Sequence, residues 1–131
     1  MILANVADGI AAAVIAIPGL RVVPYVADRV EPPALVVGYP DQSYDIDFGE
    51  DDTWILPVYV FLSRASDRST RESVSAYISR SGAYSIKTAV ESDRTLGGAC
   101  DTVAVKRARP GTAMVAGIEL LSIEFTLEVI G

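Results

Sequence analysis

Apolar side chains near the start of the chain recur at the spacing of one helix face. Five of them follow one another at steps of three or four residues: Leu3, Val6, Ile10, Val14 and Ile17. Residues at these steps share one side of a helix with 3.6 residues per turn, and the alanines between them have the highest helix propensity. The pattern predicts an amphipathic helix that Pro18-Gly19 ends.

Three segments then have the composition of strands. Arg21 to Ala27 contains Pro24, which cannot donate a hydrogen bond inside a sheet, so an edge or bulged strand is predicted. Ala34 to Tyr39 has little polar character, which predicts a strand buried on both faces. Thr53 to Arg64 is long and strongly apolar, and its Pro57 again indicates an edge position or a bulge.

Helical spacing returns in the second half of the chain. It extends from about Asp67 to Arg80, where Gly82 interrupts it, and a second helical stretch continues to about Glu91. Leu96-Gly97-Gly98 predicts a turn after this broken helix.

A hairpin closes the chain. Asp101 to Arg109 and Met114 to Ile130 predict two strands, joined by a turn at Pro110-Gly111. The second of these strands alternates polar residues with five apolar ones: Leu121, Ile123, Phe125, Leu127 and Val129. A period of two is typical of a strand with one buried side.

The order of these elements favours one fold class. We expect residues 1–131 to form a single two-layer α+β domain, with helices on one face of a mostly antiparallel or mixed β-sheet. No apolar run reaches the eighteen residues needed to cross a bilayer, so no membrane partner is expected. A signal peptide begins with a positively charged region, and no basic residue precedes Arg21. We therefore expect synthesis and residence in the cytoplasm.

Composition removes most catalytic chemistry. The chain has no histidine and one cysteine, which excludes histidine-based acid-base catalysis, Ser-His and Cys-His triads, most zinc sites and intrachain disulfides. Its 50% hydrophobic and 21% charged residues are typical of a folded protein. We expect no enzyme activity, no cofactor and no metal, and we expect Cys100 to be a small buried hydrophobic residue.

The negative charge is concentrated in residues 41–52, called here the acidic segment. Six of the 17 acidic residues lie in this segment, which has no lysine or arginine: Asp41, Asp45, Asp47, Glu50, Asp51 and Asp52. The other 11 acidic residues balance the 11 basic ones, so the acidic segment accounts for the net charge of −6. Nonspecific binding to nucleic acid is disfavoured, because it requires clustered lysine and arginine.

Apolar and acidic residues alternate within the acidic segment. Tyr44, Ile46 and Phe48 alternate with Asp45 and Asp47, which predicts a β-hairpin arm with an apolar strip and an acidic face. Either the domain's own core or a partner subunit covers this strip. Ca²⁺ binding is an alternative use of the carboxylates, although their spacing does not match an EF-hand.

A small basic cluster has the opposite charge. Lys106, Arg107 and Arg109 form either a solvated hairpin tip or one half of a contact with the acidic arm of another copy. Contacts of this head-to-tail kind close into rings.

Five segments carry a resemblance to a known family. They are IPGLRV (17–22), PPALVVGYP (32–40), WILPVYVFLSRASDR (54–68), TLGGACDTVAVKRA (95–108) and IEFTLEVIG (123–131). In order and spacing, together with the acidic segment, they resemble the tail terminator proteins of long-tailed bacteriophages, especially those that infect actinobacteria. The likeness extends over nearly the whole chain but includes no catalytic signature.

The resemblance implies a structural virion protein. Members of this family assemble as a hexameric ring on the last ring of the tail tube, end its growth and offer a surface for the neck or head-completion protein. DNA passes through such a ring without being gripped, and assembly takes place in the host cytoplasm. We expect Tyr44, Ile46, Phe48 and the basic cluster at subunit or tube interfaces. The carboxylates expected on the arm or in the lumen are Asp45, Asp47, Glu50, Asp51 and Asp52. A head-closure connector of the same virion and a Ca²⁺-dependent binding module are the alternatives.

Overall fold

The computed structural model of the chain describes residues 1–23, 32–43, 53–64, 68–115 and 117–131. The helices are α1 (Leu3–Val14), α2 (Arg68–Ile78) and α3 (Ile86–Glu91). The strands are β1 (Arg21–Val23), β2 (Ala34–Val37), β3 (Asp41–Ser43), β4 (Thr53–Arg64), β5 (Thr102–Val115) and β6 (Ile118–Ile130).

Within the described residues, six strands form one mixed sheet. Its order is β1-β2-β4-β6-β5, and β3 pairs with β4 next to the end of β2. The β1–β2 pair is parallel and the other pairs are antiparallel. Side chains from all three helices join one face of this sheet in a shared core. The expected α+β class is confirmed.

Strands β4 and β6 provide the centre of the core. The alternation predicted for β6 is confirmed from Ile123 onward, while Leu121 is half-buried where the β4–β6 register shifts between Phe61 and Arg64. The side chains of these two strands that belong to the main core cluster are Trp54, Leu56, Val58, Val60, Leu62, Ile123, Phe125, Leu127 and Val129.

The first helix is confirmed. Helix α1 buries Val6, Ala7, Ile10 and Val14, and the chain leaves the helix before Pro18, as the sequence predicted. In the part of the chain that the structure describes, no helix is long and apolar enough to cross a membrane.

The two short strands after α1 also agree with their predictions. Strand β1 lies at the sheet edge and pairs only with β2 among the described strands, which fits the edge position indicated by Pro24. Pro24 itself lies outside the described residues. All four residues of β2 are buried.

The edge position inferred from Pro57 is wrong, because β4 lies inside the sheet between β2 and β6. The neighbouring chain accommodates the proline: β2 ends at Val37 and β3 begins at Asp41, and between them the Gly38 N–H donates to the Pro57 carbonyl at 2.9 Å. In a strand, the nitrogen and the carbonyl of one residue face the same side. The missing N–H of Pro57 therefore faces this break in strand pairing.

The turn predicted at Pro110-Gly111 is also wrong. Strand β5 continues through both residues to Val115, and the reversal occurs at Gly117, whose φ is +79°. Such a positive φ is accessible to glycine at little cost. Proline is tolerated at position 110 because β5 is the other edge of the sheet, so one side of it needs no strand partner.

The predicted helix break is confirmed at the junction of α2 and α3. Ser85 caps α3 by accepting the Thr88 N–H at 3.2 Å, and its hydroxyl donates to the Ser79 carbonyl at 2.5 Å. The Thr88 hydroxyl donates to the Arg80 carbonyl at 2.9 Å. These bonds satisfy carbonyls beyond the end of α2 and hold the two helices at a fixed corner.

Replacing Gly9 tests the packing of α1 against the turn before β5. An alanine inside a helix normally adds about 1 kcal/mol of stability over glycine. At position 9, however, a Cβ atom would lie 2.6 Å from the Leu96 carbonyl oxygen and 2.7 Å from the Leu96 Cβ. We therefore expect Gly9→Ala to lower the free energy of unfolding by about 1–3 kcal/mol, measured by urea denaturation.

The matched control is Ala12→Gly at an exposed position of the same helix, which should lose about 1 kcal/mol from helix propensity alone. A stability gain in Gly9→Ala would contradict the close approach of α1 to this turn.

Candidate functional site

A β-bulge shapes the middle of β5. Val105 pairs with Leu127 and Arg107 pairs with Thr126, so Lys106 is an extra residue between two consecutive pairs. Side chains alternate between the two faces of a strand, and Arg107 would follow Val105 onto the core face without this insertion. The bulge instead gives the core-facing position to Ala108, which pairs with the buried Phe125. Lys106 and Arg107 are both exposed.

Helix α3 covers the edge of β5 at the start of this bulge. The Val105 N–H donates to Glu91 Oε2 at 3.2 Å, and the Val105 carbonyl accepts a bond from Lys87 Nζ at 3.4 Å. Lys87 Nζ also contacts Glu91 Oε2 at 2.5 Å. Two side chains one helical turn apart therefore satisfy both backbone groups of an edge residue.

The Glu91 carboxylate is held in its charged form. Its side chain is only 11% exposed, and this burial acts to raise its pKa. The hydrogen bonds from Lys87 and Val105, with the positive charges of Lys87 and Arg94, outweigh burial and lower the pKa below its ordinary value of 4.5. Arg94 contacts Glu91 Oε1 at 3.1 Å.

An open groove of about 280 Å³ lies between the end of α2, helix α3 and the β5 bulge. Its apolar lining residues are Ile78, Val105, Ala108 and Phe125, of which Val105 and Phe125 are buried and Ile78 is exposed. Four basic residues also line it: Arg80, Lys87, Lys106 and Arg107. We call this feature the basic groove.

Charge around the basic groove is incompletely balanced by the described residues. Lys87 is paired with Glu91, whereas Arg80, Lys106 and Arg107 make no ion pair within the described parts of the chain. A groove lined by one sign of charge concentrates counter-ions of the other sign. This geometry is suited to an anionic ligand with some apolar surface.

The basic cluster predicted from the sequence lies only partly at the basic groove. Lys106 and Arg107 line the groove, but Arg109 does not. In the strand register Arg107 lies opposite Thr126 and Arg109 opposite Glu124, so both arginines belong to the sheet face opposite the core. The hairpin-tip interpretation is wrong, because all three residues lie within β5, well before the reversal at Gly117.

Most of the acidic segment lies outside the described residues. Asp41 begins β3, and Ser43 pairs with Thr53, so the two ends of a hairpin base lie side by side. The Trp54 indole donates to Gln42 Oε1 at 2.9 Å across this pair. The strand and interface roles predicted for residues 44–52 therefore stay predictions: Tyr44, Ile46, Phe48, Asp45, Asp47, Glu50, Asp51 and Asp52.

Metal binding needs clustered ligands, and thiol chemistry needs an accessible cysteine; the described residues supply neither. Among them, no group of three or more histidine, cysteine, aspartate or glutamate side chains is placed to hold a metal ion. Cys100 is buried as predicted, and burial raises the pKa of its thiol, with smaller contributions from Asp101 and Asp93.

The sheet face opposite the core also carries apolar residues. Ile55, Pro57, Tyr59 and Phe61 occupy alternate positions of β4, and the rings of Tyr59 and Phe61 stack with centroids 6.2 Å apart. Exposed apolar side chains also lie at the far end of the hairpin, where Met114 is 67% exposed.

Comparison with known proteins adds no relative. The sequence matches no protein-family model and no curated protein. Functional inference therefore rests on the residues, on their geometry and on the resemblance of the five segments.

The carboxylate of Glu91 gives a pH-dependent prediction. Because its pKa is lowered by folding, its contribution to stability is present above pH 4.5 and is lost as the pH falls through the lowered pKa. We expect Glu91→Gln to reduce the free energy of unfolding by about 1–2 kcal/mol at pH 7. The difference from the wild type should shrink below pH 4.5.

Chemical denaturation at several pH values measures this effect. Glu119→Gln at an exposed position of β6 is the control and should change stability little at any pH. A difference between Glu91→Gln and the wild type that is constant with pH would refute the role assigned to the carboxylate charge.

Proposed function

We propose that this chain is a tail terminator subunit of a long-tailed bacteriophage. Copies assemble as a ring, taken as a hexamer, on the last ring of the tail tube. The ring ends tube polymerisation and provides the surface that joins the neck or head-completion protein. The protein performs no bond-making chemistry in this role and needs no cofactor.

The observation that carries the proposal is the order of the five resembling segments along almost the whole chain. These segments coincide with elements that build the fold. The first segment joins α1 to β1, the second contains β2, and the third contains β4 from Trp54 onward. The fourth leads from the Leu96 turn into β5, and the fifth covers the second half of β6. A likeness spread over core-forming elements supports a shared architecture better than a likeness confined to one motif.

The distribution of surface groups supports assembly. A closed ring of identical subunits requires each copy to present two different, complementary surfaces. The basic groove and the acidic segment have opposite charge and lie on different parts of the chain. Exposed apolar residues such as Tyr39 and Met114 offer contact surface for a neighbouring subunit or for the tube.

The two faces of such a ring must differ. One face matches a tube ring, while the other rejects a further tube subunit and accepts the neck, so the ring stops growth by shape and by unfavourable contacts. DNA must slide through the centre, and carboxylates facing the lumen would repel its phosphates. The acidic segment supplies such carboxylates unless a neighbouring subunit binds them.

Loss of the protein from infected cells tests this function. We expect tails assembled without it to contain tubes that run past the normal length, because nothing halts polymerisation. Negative-stain electron microscopy measures tube length, and expression of the wild-type chain from a plasmid should restore it.

Tails of normal length that fail to join heads would contradict the tail terminator role and identify a head-closure connector. Unchanged virions would contradict both. A calorimetric titration that detects Ca²⁺ binding at millimolar or lower concentration would instead favour the calcium-dependent module.

A further inference from the structure

Strand β5 is an edge of the sheet, and its outer side is covered only in part. At Val105 the side chains of Lys87 and Glu91 bind the outward carbonyl and N–H. Past the bulge no described strand pairs with this side, and Pro110, Thr112 and Met114 are all exposed. A bare strand edge offers unpaired backbone groups to another strand.

The register fixes which residues of β5 direct their backbone groups outward. The N–H and the carbonyl of one strand residue face the same side, and successive residues alternate. Because the groups of Val105 face away from β6, those of its partner Leu127 face β4. Alternate residues of β6 share the orientation of Leu127, and their partners on β5 direct their own groups outward: Ala108, Pro110, Thr112 and Met114.

The position of the proline agrees with this orientation. Pro110 has no N–H, and at an outward position it leaves no gap in the hydrogen bonds between β5 and β6. No hydrogen bond from the described residues is made to the outward groups of Thr112 and Met114. The free edge therefore offers two N–H donors, from Thr112 and Met114, and the carbonyls of both residues and of Pro110.

A strand that pairs with this edge must be uncharged there and must tolerate Pro110. Residues 110–118 include no charged residue, and the Met114 side chain is 67% exposed. A charged side chain covered by this apolar surface would lose water without gaining a partner. The edge itself meets both requirements, so a second copy of the same edge is a suitable occupant.

We propose that two copies of the chain pair through this edge, with antiparallel β5 strands related by a two-fold axis beside Thr112. Thr112 of each copy then exchanges two hydrogen bonds with Thr112 of the other. The Met114 N–H of each copy donates to the Pro110 carbonyl of the other. Both free donors of the edge are satisfied, and the one carbonyl without a donor, that of Met114, lies near the end of the hairpin, where water reaches it.

Charge selects this register over the nearest alternative. The axis lies beside an outward residue, so the next choice is Pro110. That choice places the two Arg109 side chains diagonally on one face, about 7–8 Å apart, where like charges repel. With the axis beside Thr112, Arg109 lies opposite Val115, and the two arginines are six residues apart along the strands, or about 20 Å.

This pairing concerns the free chain and goes beyond the proposed ring. Neighbours in a hexameric ring are related by a six-fold rotation, so a two-fold contact does not join ring neighbours. Success or failure of the pairing is measured without tubes or heads. It is therefore distinguishable from success or failure of the tail terminator function.

Sedimentation velocity of the full-length chain measures the pairing. A contact this short corresponds to a dissociation constant of roughly 10–1,000 µM, so the chain is studied at concentrations up to about 1 mM. The wild type should shift from monomer to dimer as its concentration rises. A chain that stays monomeric, or that associates without forming a dimer, would overturn the proposal.

Proline at position 112 tests the hydrogen bonds at the axis. Thr112→Pro removes an outward N–H that β6 does not use, as Pro110 already does, so the fold should persist. We expect dimerisation at least tenfold weaker than in the wild type. Thr112→Val is the matched control, because it keeps the N–H and should dimerise normally. Equal dimerisation of the two variants would contradict pairing at this edge.

Lysine at position 114 gives a second test that leaves every backbone N–H in place. A lysine on a strand edge opposes pairing, so Met114→Lys should also weaken dimerisation at least tenfold. Ile15→Lys is its control, since Ile15 is 79% exposed at the end of α1, away from β5. Circular dichroism checks the fold of each variant. Normal dimerisation of Met114→Lys would count against the proposed contact.

Disulfide cross-linking tests the register. Thr112 and its counterpart form a hydrogen-bonded pair with Cα atoms about 5.5 Å apart, within the range of a disulfide. The two Met114 residues are four positions apart along the strands, or about 14 Å. Under mild oxidation, Thr112→Cys should form covalent dimers at least tenfold faster than Met114→Cys, and the buried Cys100 is common to both. Cross-linking that is equal or faster at position 114 would refute the register.

Discussion

Burial of one face of β4 and β6 beneath the helices is the interaction on which the remaining structure depends. These central strands supply several of the largest fully buried side chains, including Phe125, Leu56 and Leu127. Because their core face is continuous, β5 must keep apolar residues on the same face beside β6. The strand meets this requirement with Val103 and Val105, and then reaches the sequence Lys106-Arg107-Ala108. The bulge keeps Arg107 out of the core and puts Ala108 opposite Phe125.

The same bulge connects packing to surface chemistry. An edge residue at an irregular position has backbone groups that a neighbouring strand does not satisfy, and the pair Lys87–Glu91 binds both groups of Val105. This attachment holds α3 against β5, while the bonds of Ser85 and Thr88 hold the corner after α2 close to α3. The basic groove is therefore a consequence of how the core is completed at this edge. One of its cations, Lys87, is positioned by hydrogen bonds that also stabilise the fold.

Sequence patterns correctly predicted the elements whose buried positions recur at a regular spacing along the chain. Apolar residues recur every three or four positions in α1 and alternate with polar residues in β6. Each pattern indicates one buried face, and both agree with the structure. Pro57 and Pro110 were misinterpreted because a proline's effect depends on which side of the strand lacks a partner, and only the pairing of strands decides that. Arg80 and Lys87 were missed because they lie far from Lys106 in sequence. The sequence of a helix does not indicate that a bulge of a distant strand will lie beside it.

The charges at this edge of the sheet differ in what they do for the fold. Lys87 and Glu91 lie one turn apart on α3 and bind both backbone groups of Val105, so their ion pair closes the edge of β5 where the bulge begins. Arg80, Lys106 and Arg107 line the same groove at exposed positions and have no acidic partner among the described residues. Exposed charges contribute little to stability, so the fold at this edge depends on the Lys87–Glu91 pair and on the apolar side chains beneath it, such as Phe125.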